Sequence, residues 1–271
     1  MAAPAPDLTD IDAMLQVAIA AARAAGAHMK SHLSTSRVEK TKSNKDDLVT
    51  VVDKQCQDLV FATIKETFPS HEFLGEENVE PGSEASAKAL RDMVSKEWLW
   101  IVDPIDGTTN FVHHRPASVV SVACAHLGEV VVGVIYDPYR DEIFTAQKGK
   151  GTFLNGQPAH VSHEASFSEG TCWLRYRHQG QRTIAHAGLC AGIELAWTAA
   201  GRQSAFFELD LNSWDVAAGA LLVKERGEVT NSDGTPFSLS TRNIVVSNNK
   251  GDIHGSMIEL IKKADAVNVR N

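Results

Sequence analysis

Residues 98–111 read Trp98-Leu-Trp-Ile-Val-Asp-Pro-Ile-Asp-Gly-Thr-Thr-Asn-Phe111. The apolar run from Trp98 to Val102 forms a strand, and the acids follow at its carboxyl edge. In α/β folds that edge is where ligands gather. Pro104 fixes its own φ and holds Asp103 extended. Gly107 permits a sharp turn and a close backbone approach. Thr108-Thr109-Asn110 then suits the opening of a short helix, whose free N–H groups attract a phosphate. Asp103 and Asp106 beside such a turn repel each other and the anion. A bound divalent cation removes both conflicts. A capped Asp-Gly turn accounts for Asp-x-x-Asp-Gly alone. It does not account for two acids, a proline, a glycine and two threonines in one string.

Outward from this stretch, residues 119–127, 130–136 and 142–146 read as antiparallel strands. Their turns fall at Gly128-Glu129 and at residues 137–140. The first two strands are almost continuously apolar, which predicts cover on both faces. Residues 149–151 and Asn155-Gly156 are further turn signals. Helical periodicity marks 8–33, with Asp10 or Thr9 as cap, then 54–68, 189–200, 214–226 and 253–264. Short strands are predicted at 72–74 and 203–209, and around Val229, Phe237 and 244–246. Residues 34–50 read as a lysine-rich loop or ragged hairpin, and 79–96 as a polar, partly helical connection. This irregular alternation predicts a layered α/β or α+β architecture rather than a regular parallel barrel. No Gly-x-Gly-x-x-Gly follows a strand, and no Walker A sequence occurs.

The chain has 271 residues, 43% of them hydrophobic, enough for a large core. No apolar run is long enough to cross a bilayer. Lys and Arg number 26 against 34 Asp and Glu, a net charge of −8, so a basic footprint for nucleic acid is absent. Cys56, Cys124, Cys172 and Cys190 are too widely spaced for a zinc ribbon or a redox pair, and are expected as free thiols. The N-terminus lacks the basic and apolar regions of a secretory signal, and no lipidation motif occurs. A reducing cytoplasm is the expected location.

Other acids stand at element ends. Glu76-Glu77 follows Gly75 after a short strand. Asp215 lies in Asn212-Ser-Trp-Asp-Val-Ala-Ala-Gly219, where a helix dipole favours an acid. Asp53 follows Thr50-Val51-Val52 as a natural N-cap. Each has an ordinary structural explanation alone, and element ends are also where sites are built. His113-His114 are adjacent loop residues, a poor geometry for chelating one zinc.

Four blocks carry a resemblance to the inositol monophosphatase family, magnesium-dependent and lithium-sensitive phosphatases of small phosphomonoesters. They are Lys42-Ser-Asn-Lys-Asp-Asp-Leu-Val-Thr-Val-Val-Asp53, Gly75-Glu-Glu77, Trp100-Ile-Val-Asp-Pro-Ile-Asp-Gly-Thr-Thr-Asn-Phe111 and Trp214-Asp-Val-Ala-Ala-Gly219. The resemblance implies a layered αβαβα sandwich, usually a homodimer. The chain would then be one catalytic unit over 1–271, with a metal-site half at roughly 10–160 and a substrate-facing half at 161–271.

Carried over by position, Glu76, Asp103 and the Ile105 carbonyl would hold a first Mg²⁺. Asp103, Asp106 and Asp215 would hold a second, and a looser third would use Glu76 and water. Asp53 and Thr108 would orient and deprotonate the attacking water, with Glu77 nearby. The N–H groups of Gly107 and Thr108 would grip the phosphate, beside Asp106 and Asp215. Glu208 and Ala191 match sugar contacts, and Lys42 lies in the loop that closes on the metals. The implied reaction is hydrolysis of myo-inositol monophosphate or a similar phosphorylated polyol, with no membrane or nucleic-acid partner. Histidinol phosphate, fructose 1,6-bisphosphate and 3′-phosphoadenosine 5′-phosphate are the alternative substrates, and a non-catalytic scaffold is the alternative class.

The sequence departs from the family pattern at three places. Leu189-Cys190-Ala191-Gly192 stands where Gly-Ser/Thr-Ala-Ala is usual. Residues 162–188 form a shorter connection, which contains the basic cluster Arg175, Tyr176, Arg177, His178 and Arg182, read as a solvated loop or a contact to a second phosphate. Glu228 replaces a second glycine after Gly227.

Overall fold

Asp10 starts the first helix. Its carboxylate accepts the N–H groups of Asp12 at 2.9 Å and Ala13 at 3.1 Å, and α1 runs from Ile11 to His32. The structure is a computed structural model that describes residues 10–34, 40–41, 48–49, 51–169, 172–174 and 189–263. Lys42 and the cluster from Arg175 to Arg182 lie outside these residues. Strands β1 (Lys40–Thr41) and β2 (Leu48–Val49) form an antiparallel pair. Helix α2 spans Val51–Thr67 and buries Val52, Cys56, Val60 and Ile64 along one stripe. Val52 already belongs to that stripe, so α2 starts earlier than the expected residue 54. Asp53 therefore sits inside the first turn rather than at the N-cap.

The main sheet holds seven strands in the order β3-β4-β5-β6-β7-β8-β9. These are Glu72–Gly75, Trp98–Asp106, Val119–His126, Glu129–Asp137, Glu142–Gln147, Gly151–Leu154 and Gln157–Ala159. Only β3 and β4 pair in parallel; the rest are antiparallel. A 3-10 turn at Glu76–Asn78 and helix α3 (Ser83–Met93) connect β3 to β4, and α4 (Thr108–Val112) follows β4. Two expected turns shift. Leu127 and Gly128 have φ of 48° and 83°, and His126 pairs with Glu129. The turn is therefore Leu127-Gly128, because the right-handed twist of the strands selects two positive φ values in a two-residue hairpin. Likewise Asp137 ends β6, and its carboxylate accepts the N–H groups of Tyr139 and Arg140 to make the next bend.

A second, four-stranded sheet has the order β10-β11-β13-β12. Its strands are Cys172–Leu174, Ala205–Glu208, Ile244–Ser247 and Glu228–Asn231, respectively. Helices α5 (Ala191–Ala199) and α6 (Ser213–Lys224) lie between the two sheets, and α7 (Ile253–Lys263) covers the outer face of the second. Phe237 falls outside any strand. Its neighbour Pro236 forms a single bridge to Thr230 and has no N–H to continue a ladder.

Alternation along the strands builds the layers. Trp100 and Val102 face α1 and α2, packing with Met14, Ala18, Met29 and Ile64. Leu99 and Ile101 face the other way, toward Leu195, Val216 and Leu221. Phe207, Val245, Met257 and Ile261 form a smaller core under α7. The result is the expected αβαβα sandwich. No described helix is long and apolar enough to cross a membrane.

Helix α6 approaches the main sheet at Gly133, where a Cβ would stand 2.8 Å from the Ala218 carbonyl oxygen. Gly133→Ala should therefore lower stability by about 1–3 kcal/mol through overpacking. Urea unfolding measures this, and an unchanged midpoint would show that α6 can retreat without loss.

Candidate active site

The acids of β4 meet through a bulge. Asp103 pairs with Ser121 and Asp106 with Val119, so three steps along β4 oppose two along β5. On a regular strand, residues three apart face opposite sides. The extra residue turns Asp106 to the side of Asp103. Pro104 sits within the bulge, where it has no ladder N–H to lose. Asp215 joins from α6, and one oxygen from each of Asp103, Asp106 and Asp215 lies within 4.8 Å of the others. Asp103 and Asp106 are buried, and Asp215 is half-buried.

Backbone N–H groups hold all three carboxylates. Ile105 donates to Asp103 at 3.0 Å, and Asn212 donates to Asp215 at 2.6 Å. Gly192, second residue of α5, donates to Asp106. A Cβ at Gly192 would stand 2.7 Å from that Asp106 oxygen and 2.8 Å from Val119. The departure from the family pattern at residue 192 thus has a local reason. The amino ends of α5 and α6 both meet the acids, where helix dipoles favour negative charge. Gly107, at φ 93°, starts α4 on the same side, with Cys190 packed against its Cα.

Asp53 is buried at the start of α2 and faces Thr108. The Thr108 hydroxyl lies 3.2 Å from Asp53 Oδ1 and 3.0 Å from the Ile105 carbonyl oxygen. Glu76 and Glu77 are half-buried on the 3-10 turn. Glu76 acts on Asp103 and Asp215 through its charge but stands outside the 4.8 Å group. Ala191 is buried in the first turn of α5, and Glu208 is buried at the end of β11, where its charge reaches Asp215. His113 and His114 each bond a backbone carbonyl, of Thr109 and Leu33.

Two contributors escape the sequence reading. Gln57, fully buried on α2, accepts the Glu77 N–H at 3.0 Å and donates to Asn78 Oδ1 at 3.0 Å. Its spacing of one helical turn from Asp53 was the available signal. Gly192 is the other, signalled by a glycine inside a helix start.

Burial pushes the Asp103 carboxyl well above the usual carboxylate range, and the charges of Glu76, Asp106 and Asp215 add to it. Burial, then Asp106 and Glu76, raise Asp215 in the same way, against the opposing Asn212 N–H. Crowded oxygen donors of this kind fit a hard divalent cation, whose charge relieves the repulsion. The thiols belong to no such chemistry. Cys56, Cys124 and Cys190 are free and buried, and burial pushes Cys56 up to about 12. Cys190 is raised further by burial and by Asp106 beside it.

The sequence matches the model of the inositol monophosphatase family over residues 10–266. This chain belongs to that family. Inositol monophosphatase 3 of Solanum lycopersicum is 36% identical over 88% of the chain and 93% of the relative. The Nus factor SuhB of Pseudomonas aeruginosa is 34% identical, over 88% and 92%. The crystal structure of the extragenic suppressor protein suhB from Bartonella henselae superposes with a TM-score of 0.78 at 30% identity, covering 93% of this chain and 99% of that one. The family identifies the chain as a phosphatase.

The pH dependence of the metal-free protein follows from the two raised carboxyls. Asp103 and Asp215 bind protons more tightly folded than unfolded, so their contribution is full below the ordinary value of 3.8 and is lost as pH rises. In chelator, Asp103→Asn should therefore melt higher than wild type at pH 7, with the gap closing toward pH 4. Calorimetric scans read the gap; a variant that melts lower at neutral pH contradicts the crowding.

Proposed function

We propose that this chain is a Mg²⁺-dependent phosphatase of a small phosphorylated polyol, with myo-inositol monophosphate as the first substrate to test. The observation that carries this reading is the convergence of Asp103, Asp106 and Asp215 beside the Thr108–Asp53 contact. Glu76, Asp103 and the Ile105 carbonyl would hold one ion, and Asp103, Asp106 and Asp215 a second. A third would use Glu76 and water. Bound Mg²⁺ supplies a coordinated water of lowered pKa and charge neutralisation at the phosphoryl and leaving oxygens.

The chain's own residues position and deprotonate the nucleophile. Thr108 donates its hydroxyl proton to Asp53, which leaves its oxygen lone pairs to accept from the attacking water. As the water proton moves to Thr108, the Thr108 proton moves to Asp53. Glu77 completes the acidic wall around this water. The N–H groups of Gly107 and Thr108 orient the phosphate, because a helix start offers N–H groups with no acceptor inside the helix. The water oxygen then bonds to phosphorus as the ester P–O bond breaks, the polyol leaves as an alkoxide that takes a proton from solvent water, and no side chain is phosphorylated.

Glu208 and Ala191 would face the polyol, and the resemblance implies a loop role for Lys42, which lies outside the described residues. The relatives carry both inositol monophosphatase and Nus factor names, so the choice of substrate rests on Glu208, a buried acceptor suited to a sugar hydroxyl. The chain reads as a single catalytic unit, with a metal-site half at roughly 10–160 and a substrate-facing half at 161–271 that also supplies Asp215. The resemblance also carries a homodimer. The free, buried cysteines support a reducing, cytoplasmic setting.

Purified protein with Mg²⁺ should release phosphate from myo-inositol 1-phosphate, and chelation should lower its Tm. Asp103→Asn should abolish turnover. Thr108→Ala should reduce kcat by about 10²–10⁴-fold, the range of a lost proton-transfer group. A panel with histidinol phosphate, fructose 1,6-bisphosphate and 3′-phosphoadenosine 5′-phosphate, compared by kcat/KM, ranks the substrates. Absence of turnover on every member would refute the reading and favour a scaffold.

A further inference from the structure

Asp53 and Gln57 are one helical turn apart on α2, so both side chains leave the same face. Asp53 reaches Thr108, and Gln57 reaches the turn that carries Glu76 and Glu77. Gln57 is fully buried. A buried amide is retained where its donor and acceptor are both used. Here Oε1 accepts the Glu77 N–H and Nε2 donates to Asn78 Oδ1, each at 3.0 Å. The Glu77 N–H belongs to the peptide that joins Glu76 to Glu77. Fixing that peptide restrains ψ of Glu76 and φ of Glu77, and with them the directions in which both side chains leave the backbone.

Gly75 makes this approach feasible. A Cβ there would stand 2.2 Å from Gln57 Oε1 and 2.7 Å from the Phe61 ring. The glycine of the Gly75-Glu76-Glu77 block is therefore explained by the amide packed against it. The same helix face thus ties the Asp53–Thr108 pair to the Glu76 turn.

We propose that Gln57 is a positioning residue for the metal centre, holding the Glu76–Glu77 peptide so that Glu76 meets the ion bound by Asp103. The proposal rests on the reading of the site as a Mg²⁺ site. Groups that orient a metal's ligands contribute about 10–100-fold to affinity.

The test titrates full-length wild type, Gln57→Met, Gln57→Glu and Asn78→Ala with Mg²⁺ alone, and reads the concentration that gives half of the Tm rise. Gln57→Met matches the size of the side chain without its hydrogen bonds, and should raise that concentration about 10–100-fold. KM for myo-inositol 1-phosphate at saturating Mg²⁺ should change by less than about threefold, since the substrate contacts are intact. Gln57→Glu keeps an acceptor for the Glu77 N–H and should bind Mg²⁺ within about threefold of wild type, or more tightly. A side chain that only packs would lower the Tm in chelator without moving the Mg²⁺ midpoint, and that result overturns the proposal. So does Gln57→Glu binding as weakly as Gln57→Met. If Gln57→Met does not fold, Asn78→Ala decides: a severalfold weaker midpoint supports the proposal, and an unchanged one overturns it. A wild type that gains no Tm from Mg²⁺ refutes the metal reading as a whole, whereas a wild-type gain with an unmoved Gln57→Met midpoint refutes the role of Gln57 alone.

Discussion

Asp103, Asp106 and Asp215 repel one another across a gap of 4.8 Å or less, in a pocket where two of the three are shielded from water. At that separation and in a partly dry environment, like-charge repulsion adds to burial in lifting the Asp103 and Asp215 carboxyls above the usual carboxylate range. The surrounding fold holds the acids in place against it. The β4 bulge keeps Asp103 and Asp106 on one side, and two helix starts bring positive dipole ends toward Asp106 and Asp215. The large apolar layers on both faces of the main sheet supply the stability that keeps this arrangement from opening.

The five layers position the site as well as bury the core. β4 lies within the main sheet, with α2 on one face and α6 on the other. Asp53 therefore arrives from one side of the sheet's edge and Asp215 from the other. Glu208 arrives from the second sheet, across α5 and α6. A two-layer fold would present acids from one direction only. Here Asp53 and Thr108 come from α2 and α4 beside the main sheet, while Ala191 and Glu208 come from α5 and β11 on the side of the second sheet. At 189–192, Leu189, Cys190 and Gly192 depart from the family pattern while Ala191 keeps it, and the Gly192 N–H serves Asp106.

Much of this was legible in residues 98–111. Glycine imposes its own backbone geometry, so the turn at Gly107 and the start of α4 follow from local sequence, whereas β4 runs on to Asp106, past the expected end at Val102. The bulge does not, because it is a count of β4 against β5 and exists only in the pairing. The start of α2 was obscured for a related reason. Val51 and Val52 are β-branched and read locally as strand, yet Val52 fits the buried helical stripe, and packing decided. Leu127 at positive φ goes against its own preference, overruled by strand twist. Gln57 was hidden most completely. Its role lies in contacts with residues about twenty positions away, and its spacing of one helical turn from Asp53 was the single signal in the sequence.

The choice of donors at the three acids bears on what the site can bind. Each receives an N–H from the backbone: Ile105 for Asp103, Gly192 for Asp106, Asn212 for Asp215. A lysine or arginine in any of these places would orient the carboxylate equally well. It would also neutralise the carboxylate, and charge-assisted pairing would then compete with an incoming cation. A single peptide N–H directs one oxygen and leaves most of the negative charge, and the second oxygen, available. Glycine eases this at Gly192, because a Cβ there would stand only 2.7 Å from the Asp106 oxygen. The backbone thus fixes the geometry of the acids while preserving the charge that a divalent cation requires.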